Sequence, residues 1–147
     1  MDESYFGGKC KGKRGIGSTG KSIVFGLLER DQRVYTKIVD DVCAQTLMSD
    51  ICKKTHKGSV YYTDTFRGYN SLKRLGKHNT EALVDKKTKN HINGIEGFWS
   101  YAKPILDNYR GVSKYHFPMY LKEVEYKYNH RNDNLYKQLI RLYYAYE

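Results

Sequence analysis

The chain has 147 residues, the length of one ordinary domain, and its 39% hydrophobic share includes 15 tyrosines that a core must partly accommodate. Lysine and arginine number 26 against 16 acids, a formal charge of +10 that points to an anionic partner, nucleic acid before membrane. No run reaches the length of a transmembrane helix, and no apolar segment follows Met1 as a signal peptide requires. Cys10, Cys43 and Cys52 are scattered and form no Cys-x-x-Cys pair. They are expected to be structural. Their spacing argues against a zinc ribbon within the chain and against a disulfide framework, and it favours a reducing compartment.

Residues 7–21 form a glycine-rich basic stretch carrying Lys9, Lys11, Lys13, Arg14 and Lys21. It cannot build a core. It reads as a solvated arm able to neutralise DNA phosphates. It is not a phosphate-binding Walker loop, because the first glycine is misplaced relative to Lys21-Ser22. Residues 22–29 are continuously apolar, which predicts a strand buried on both faces. Arg30-Asp31-Gln32 reads as a hairpin turn into a β-branched, aromatic strand at residues 34–39. Asp40-Asp41 precedes a helix near residues 44–55, with Leu47, Ile51 and Cys43 inward. Asp41 is a candidate cap, a reading preferred to a metal site for these adjacent acids.

Gly58 closes that segment. Residues 59–63 predict a strand, with Asp64 at its carboxyl end, where ligand sites of α/β sheets collect. A short helix with Tyr69, Leu72 and Leu75 inward follows. Residues 76–90 are polar, and Glu81-Ala82-Leu83-Val84 is a candidate last strand. A long helix is expected from Asn93, with Ile95, Trp99, Ala102 and Leu106 as its buried stripe. Pro104 is expected to kink or end it within a turn or two. A further helix is expected near residues 118–130, with Leu121, Val124 and Tyr128 inward. The tail, residues 135–147, has helical spacing and is rich in Tyr and Leu.

Asp2, Asp64 and Glu96 are an acid at the start, an acid at a strand end and an acid on a late helix. Lys103 stands seven residues after Glu96, two helical turns along the same face and roughly 10 Å away. This set suits phosphoryl transfer. Two divalent ions about 4 Å apart would activate the attacking oxygen and stabilise the leaving one, and magnesium needs only a few carboxylates. The element order is consistent with a ribonuclease-H-like mixed α/β sheet flanked by helices, a fold in which the first and fourth strands lie side by side. Each acid also has a structural reading. Asn93 with Glu96 is a capping box, Asp64 could cap the next helix, and Asp2 could be a frayed terminus.

Several motifs in order resemble a known family. They are the run from Asp2 to Lys9, Phe25-Gly26-Leu27-Leu28-Glu29-Arg30, Tyr62-Thr63-Asp64, His91-Ile92-Asn93-Gly94-Ile95-Glu96, Phe98-Trp99-Ser100, Gly111-Val112-Ser113-Lys114 and Tyr128-Asn129-His130-Arg131-Asn132. This set is similar to the ISXO2-like transposases, DDE enzymes of bacterial insertion sequences related to the eukaryotic Merlin transposons. The resemblance implies a catalytic domain over residues 1–132 and a helical tail over 133–147. It implies catalysis and metal binding by Asp2, Asp64 and Glu96, with Lys103 as the downstream basic residue and Asn93 or His91 as substitutes at the third position. Magnesium or manganese would be the cofactor. The partners would be the element's terminal inverted repeats and target DNA, the active form a homo-oligomer, and the membrane no partner. The place of action would be the bacterial nucleoid or a eukaryotic nucleus. The reaction implied is nicking of element ends followed by strand transfer. Family members usually carry a hydrophobic strand before the first acid, so a first strand shortened at its start is expected here. A catalytically inactive DNA-binding remnant and another ribonuclease-H-like nuclease are the competing readings.

Overall fold

The computed structural model describes residues 1–7, 21–29, 33–64, 67–80, 93–109 and 112–146. In chain order these form β1 (Asp2–Phe6), β2 (Ser22–Leu28), β3 (Val34–Val39), α1 (Ala44–Lys54), β4 (Val60–Thr63), a 3₁₀ helix (Arg67–Arg74), β5 (Lys77–Thr80), α2 (Asn93–Asn108), α3 (Phe117–Asn129) and α4 (Leu135–Tyr144). The class is mixed α/β, as the sequence predicts.

β1, β2 and β3 form an antiparallel sheet with β2 in the centre. Side chains alternate across a strand, and here the alternation builds two cores. Phe6, Val24 and Val34 pack with Ile95, Phe98, Trp99, Ala102 and Leu106 of α2 and with Leu121 and Val124 of α3. Phe25, Leu27 and Val39 pack on the other face with Leu47, Ile51, Tyr61, Tyr69 and Leu72. The unbroken apolar run of β2 is therefore explained, since both of its faces are covered. The predicted turn at residues 30–32 lies outside the described residues, but Glu29 N–H donates to Arg33 O at 2.9 Å across its mouth.

The fourth strand departs from expectation. β4 pairs in parallel with β5, Val60 opposite Lys77 and Thr63 opposite Thr80, as a separate two-stranded sheet. The described residues thus form two sheets rather than one mixed sheet. β1 and β4 meet where the Met1 nitrogen donates to Tyr62 O at 2.9 Å. The candidate strand at 81–84 lies outside the described residues. β5 precedes it, and its polar sequence carries no alternation to betray a strand.

α1 buries Leu47, Asp50 and Ile51. Cys43, expected inward, is exposed, because it is the extended N-cap residue (φ −63°, ψ 144°) and stands before the helical stripe begins. Cys52 is also exposed. Asp41 accepts the Cys43 N–H at 2.9 Å. Hydrogen bonds from the Cys43 backbone and the Thr46 side chain hold its carboxyl below the ordinary aspartate value, so Asp41 ties the entry turn. Buried Asp50 is neutralised by Lys37 of β3 at 2.6 Å. Tyr69 and Leu72 are buried, and Leu75 packs partly beside them. Their three-residue spacing suits three residues per turn, which puts all of them on one side of a 3₁₀ helix.

α2 continues four residues past Pro104. α3 seals the free edge of β3. Asn129 accepts the Val34 N–H at 2.7 Å and donates to Val34 O at 2.8 Å. Glu125 accepts the Thr36 N–H and hydroxyl at 2.6 and 2.5 Å, and Lys122 donates to Thr36 O at 2.6 Å. A strand edge that would otherwise offer unpaired backbone groups is thereby closed. α4 buries none of its residues, and Asn134 caps its start by accepting the Lys137 N–H at 3.1 Å.

Candidate active site

Asp2 lies on β1 opposite Gly26 of β2. Even-numbered positions of these strands face α2, so the Asp2 side chain points toward that helix. There the Trp99 indole N–H donates to Asp2 Oδ2 at 3.1 Å. Gly26 makes this contact possible. A Cβ built on it would meet the Trp99 ring at 2.6 and 2.9 Å and Ile95 Cδ1 at 3.0 Å. The indole thus fills a notch that a larger residue would close. Gly94 allows a second close approach near the start of α2, where a Cβ would meet Leu28 Cδ2 at 2.3 Å. This end of the helix is thereby pressed against β2.

Asp64 follows β4 directly and is half-buried. It stands in electrostatic reach of Asp2 and Glu3. Burial is the largest cause that pushes the Asp2 carboxyl above its ordinary value, and the negative charge of Asp64 adds to it against the hydrogen bonds from the Glu3 backbone and Trp99. The Glu3 carboxyl is also raised, first by burial and then by the charges of Asp2 and Asp64, against the Tyr69 hydroxyl that donates to it. The Tyr69 phenol is driven well above its usual value by burial and by Glu3. Neighbouring residues of a strand point to opposite faces, so Asp2 faces Trp99 while Glu3 faces Tyr69.

The sequence-predicted residues therefore divide. Asp2 and Asp64, far apart in the chain, are brought together. Glu96 is exposed on α2, one turn before Trp99. Among the described residues no three His, Cys, Asp or Glu side chains gather as a metal-holding group. Lys103 is exposed on the same helix. Asn93 is the first residue of α2, and His91 lies outside the described residues. Lys9, Lys11, Lys13 and Arg14 also lie outside them. Lys21 precedes β2 at the end where Ser22 pairs with Phe6, away from Asp2.

Sequence reasoning misses Glu3, Tyr69 and the Trp99 indole as members of this site. Glu3 is adjacent to a candidate acid, and strand parity alone assigns it to the opposite face. Trp99 is the only tryptophan of the chain, and the break in an apolar run at Gly26 is the available sign of a close approach. The donor set fits a hard divalent cation. Asp2 and Asp64 offer carboxylate oxygens, the hard donors such an ion takes.

Comparison with known proteins gives two matches. The ISXO2-like transposase domain matches residues 1–129. An uncharacterized transposase-like protein of Haemophilus influenzae is 39% identical over 104 residues, which is 66% of this chain and 81% of that protein.

Proposed function

The chain belongs to the ISXO2-like transposase family, and on that premise we propose that it is a DNA transposase catalytic domain that nicks element ends and transfers the freed strand to target DNA. The reading takes the domain to be ribonuclease-H-like, with residues 1–132 as the catalytic unit and 133–147 as an appended helix. The observation that carries it is the meeting of Asp2 and Asp64 from different elements, both half-buried and in each other's field. Ionisable groups brought together from distant parts of a chain in a partly buried place are a mark of functional sites, and here the Met1 ammonium lies in the field of the same acids.

In this reading Asp2 and Asp64 hold magnesium or manganese. The bound ion supplies Lewis-acid activation of the attacking oxygen and stabilises the leaving one. Trp99, donating to Oδ2, would orient the Asp2 carboxyl. Glu96 serves as third acid, with Asn93 or His91 as substitutes. Lys103, two turns along the helix, contacts a flanking phosphate. The partners are terminal-repeat and target DNA, and the working form is a homo-oligomer. No helix among the described residues is long and apolar enough to cross a membrane.

The test is nicking of terminal-repeat DNA with magnesium, comparing wild type with Asp64→Ala and Glu96→Gln. Loss of at least about a hundredfold in both supports the full triad, on the scale of removing a group that acts in the transition state. Equal cleavage by wild type and Asp64→Ala removes the proposal. A second reading, a DNA-binding domain without strand chemistry, is favoured by one observation, that among the described residues no three His, Cys, Asp or Glu side chains gather as a metal-holding group. It predicts DNA binding with no metal-dependent nicking.

A further inference from the structure

Two sets of cations among the described residues differ in their partners. Lys37, Lys122 and Lys127 are paired with Asp50, Glu125 and Glu123 at 2.6, 2.7 and 2.5 Å. Lys53, Lys57, Lys73, Arg74 and Lys77 are all exposed, and none forms an ion pair with another described residue. All five come from two places, the end of α1 with its following turn and the end of the 3₁₀ helix with its own. The turns are locked together. Gly58 N–H donates to Leu75 O at 3.0 Å, and a Cβ on Gly76 would meet Ser59 O at 2.2 Å. Neither residues 51–63 nor residues 67–80 contain an acid. Lys54, beside them, is turned aside over the Tyr35 ring at 4.5 Å.

We infer that these two joined turns form a docking surface for the phosphate backbone of duplex DNA, distinct from the acidic end. The inference rests on the reading of the chain as a DNA transposase. β4 and β5 run in parallel, and the turns stand at the start of both strands, whereas Asp64 follows the end of β4. At about 3.3 Å per residue, the patch and Asp64 are separated by roughly 13 Å. A phosphate held by the patch is therefore not the one being cut, and the patch grips DNA that flanks the reacting bond. Unpaired cations on rigid turns lose little freedom on binding, and each phosphate neutralised releases counterions. A membrane surface fits less well, because such binders set several apolar side chains among their cations. Val60 is the one large exposed apolar side chain of these described segments.

The test uses the whole chain and a short labelled duplex of arbitrary sequence, with binding followed by anisotropy between about 50 and 200 mM salt. One variant carries Lys57→Gln, Arg74→Gln and Lys77→Gln. A control loses the same charge elsewhere through Lys114→Gln, Lys137→Gln and Arg141→Gln. Unchanged far-ultraviolet circular dichroism and melting verify that both fold. The patch variant is expected to bind at least tenfold more weakly at the lower salt, and its log–log salt slope should shrink by about 2 or more. The control should remain within threefold of wild type. Equal losses in both variants, or a slope unchanged in the patch variant, overturn the inference, as does absence of binding by wild type. So does loss of binding to phosphatidylserine vesicles without loss of binding to DNA. If the patch variant loses DNA affinity while wild type shows no metal-dependent nicking, the surface stands and the catalytic reading falls. If DNA binding is insensitive to the patch but nicking requires Asp64, the reverse holds.

Discussion

Two polar regions of this molecule are built on opposite principles. At the α3–β3 seam, one carboxylate meets a cation and two neutral donors. Glu125 accepts from Thr36 N–H, the Thr36 hydroxyl and Lys122, while Asn129 occupies both backbone groups of Val34. At the β1–β4 meeting, Asp2, Glu3 and Asp64 stand in one another's field, and the side-chain donors that reach Asp2 and Glu3 are an indole and a phenol. The seam is satisfied by the fold itself. The acidic end gathers three carboxyls with the Met1 ammonium in their field, an arrangement of the kind that suits binding a cation or a reacting group. On the proposed reading, stability and function fall to different regions of the molecule.

Mutations at the two regions should move stability in opposite directions. Glu125→Ala leaves Thr36 and Lys122 without their acceptor and should cost about 3 kcal/mol in urea unfolding. A cost under about 1 kcal/mol would show that the seam contributes little beyond its apolar contacts. Gly26→Ala drives a methyl into the Trp99 ring. It should destabilise by about 1–3 kcal/mol through overpacking and shift the fluorescence of Trp99. Asp2→Asn keeps the shape and removes one repelling charge, so it should stabilise the metal-free protein by about 0.5–1 kcal/mol while eliminating nicking. If it destabilises as Glu125→Ala does, the contrast between the regions is wrong.

The pH dependence sharpens the same contrast. Asp2 and Glu3 have folded-state values above their unfolded ones, so the folded protein holds protons that the unfolded chain releases. Their contribution to stability is full below the unfolded carboxylate range and is lost as pH rises through the folded values. Melting temperature measured from about pH 4 upward should fall less steeply in Asp2→Asn combined with Glu3→Gln. An unchanged slope contradicts the assignment. The smallest effect is expected at the surface pair of Lys127 with Glu123, where both side chains are nearly half exposed. Lys127→Ala should change stability by no more than about 0.5 kcal/mol.

Much of the fold is legible in the sequence because it rests on apolar periodicity. The stripe of Ile95, Trp99, Ala102 and Leu106 marks the buried face of α2, and the unbroken run of β2 announces a strand covered on both sides. β5 escapes notice because Lys77-His78-Asn79-Thr80 owes its strand state to pairing with β4, which no local pattern encodes. Cys43 misleads because a residue just before a helix continues the spacing of the stripe but not its backbone. At the site, residue chemistry singles out Asp2 and Asp64. Spacing does not say that Glu96 is exposed, since that depends on the rotation of α2 about its axis, which the close approaches at Gly26 and Gly94 constrain. The motif residue Asn129 shows the converse. It resembles a piece of a family signature, and in this fold it binds the edge of β3.

The most direct test uses the single tryptophan as a reporter. Trp99 donates to Asp2 Oδ2, so a paramagnetic Mn²⁺ ion held between Asp2 and Asp64 should quench its fluorescence in a saturable titration. The account predicts that this quenching disappears in Asp2→Asn and in Asp64→Asn, with both variants folded. Saturable quenching of equal depth in wild type and both variants, or none in wild type, would contradict it.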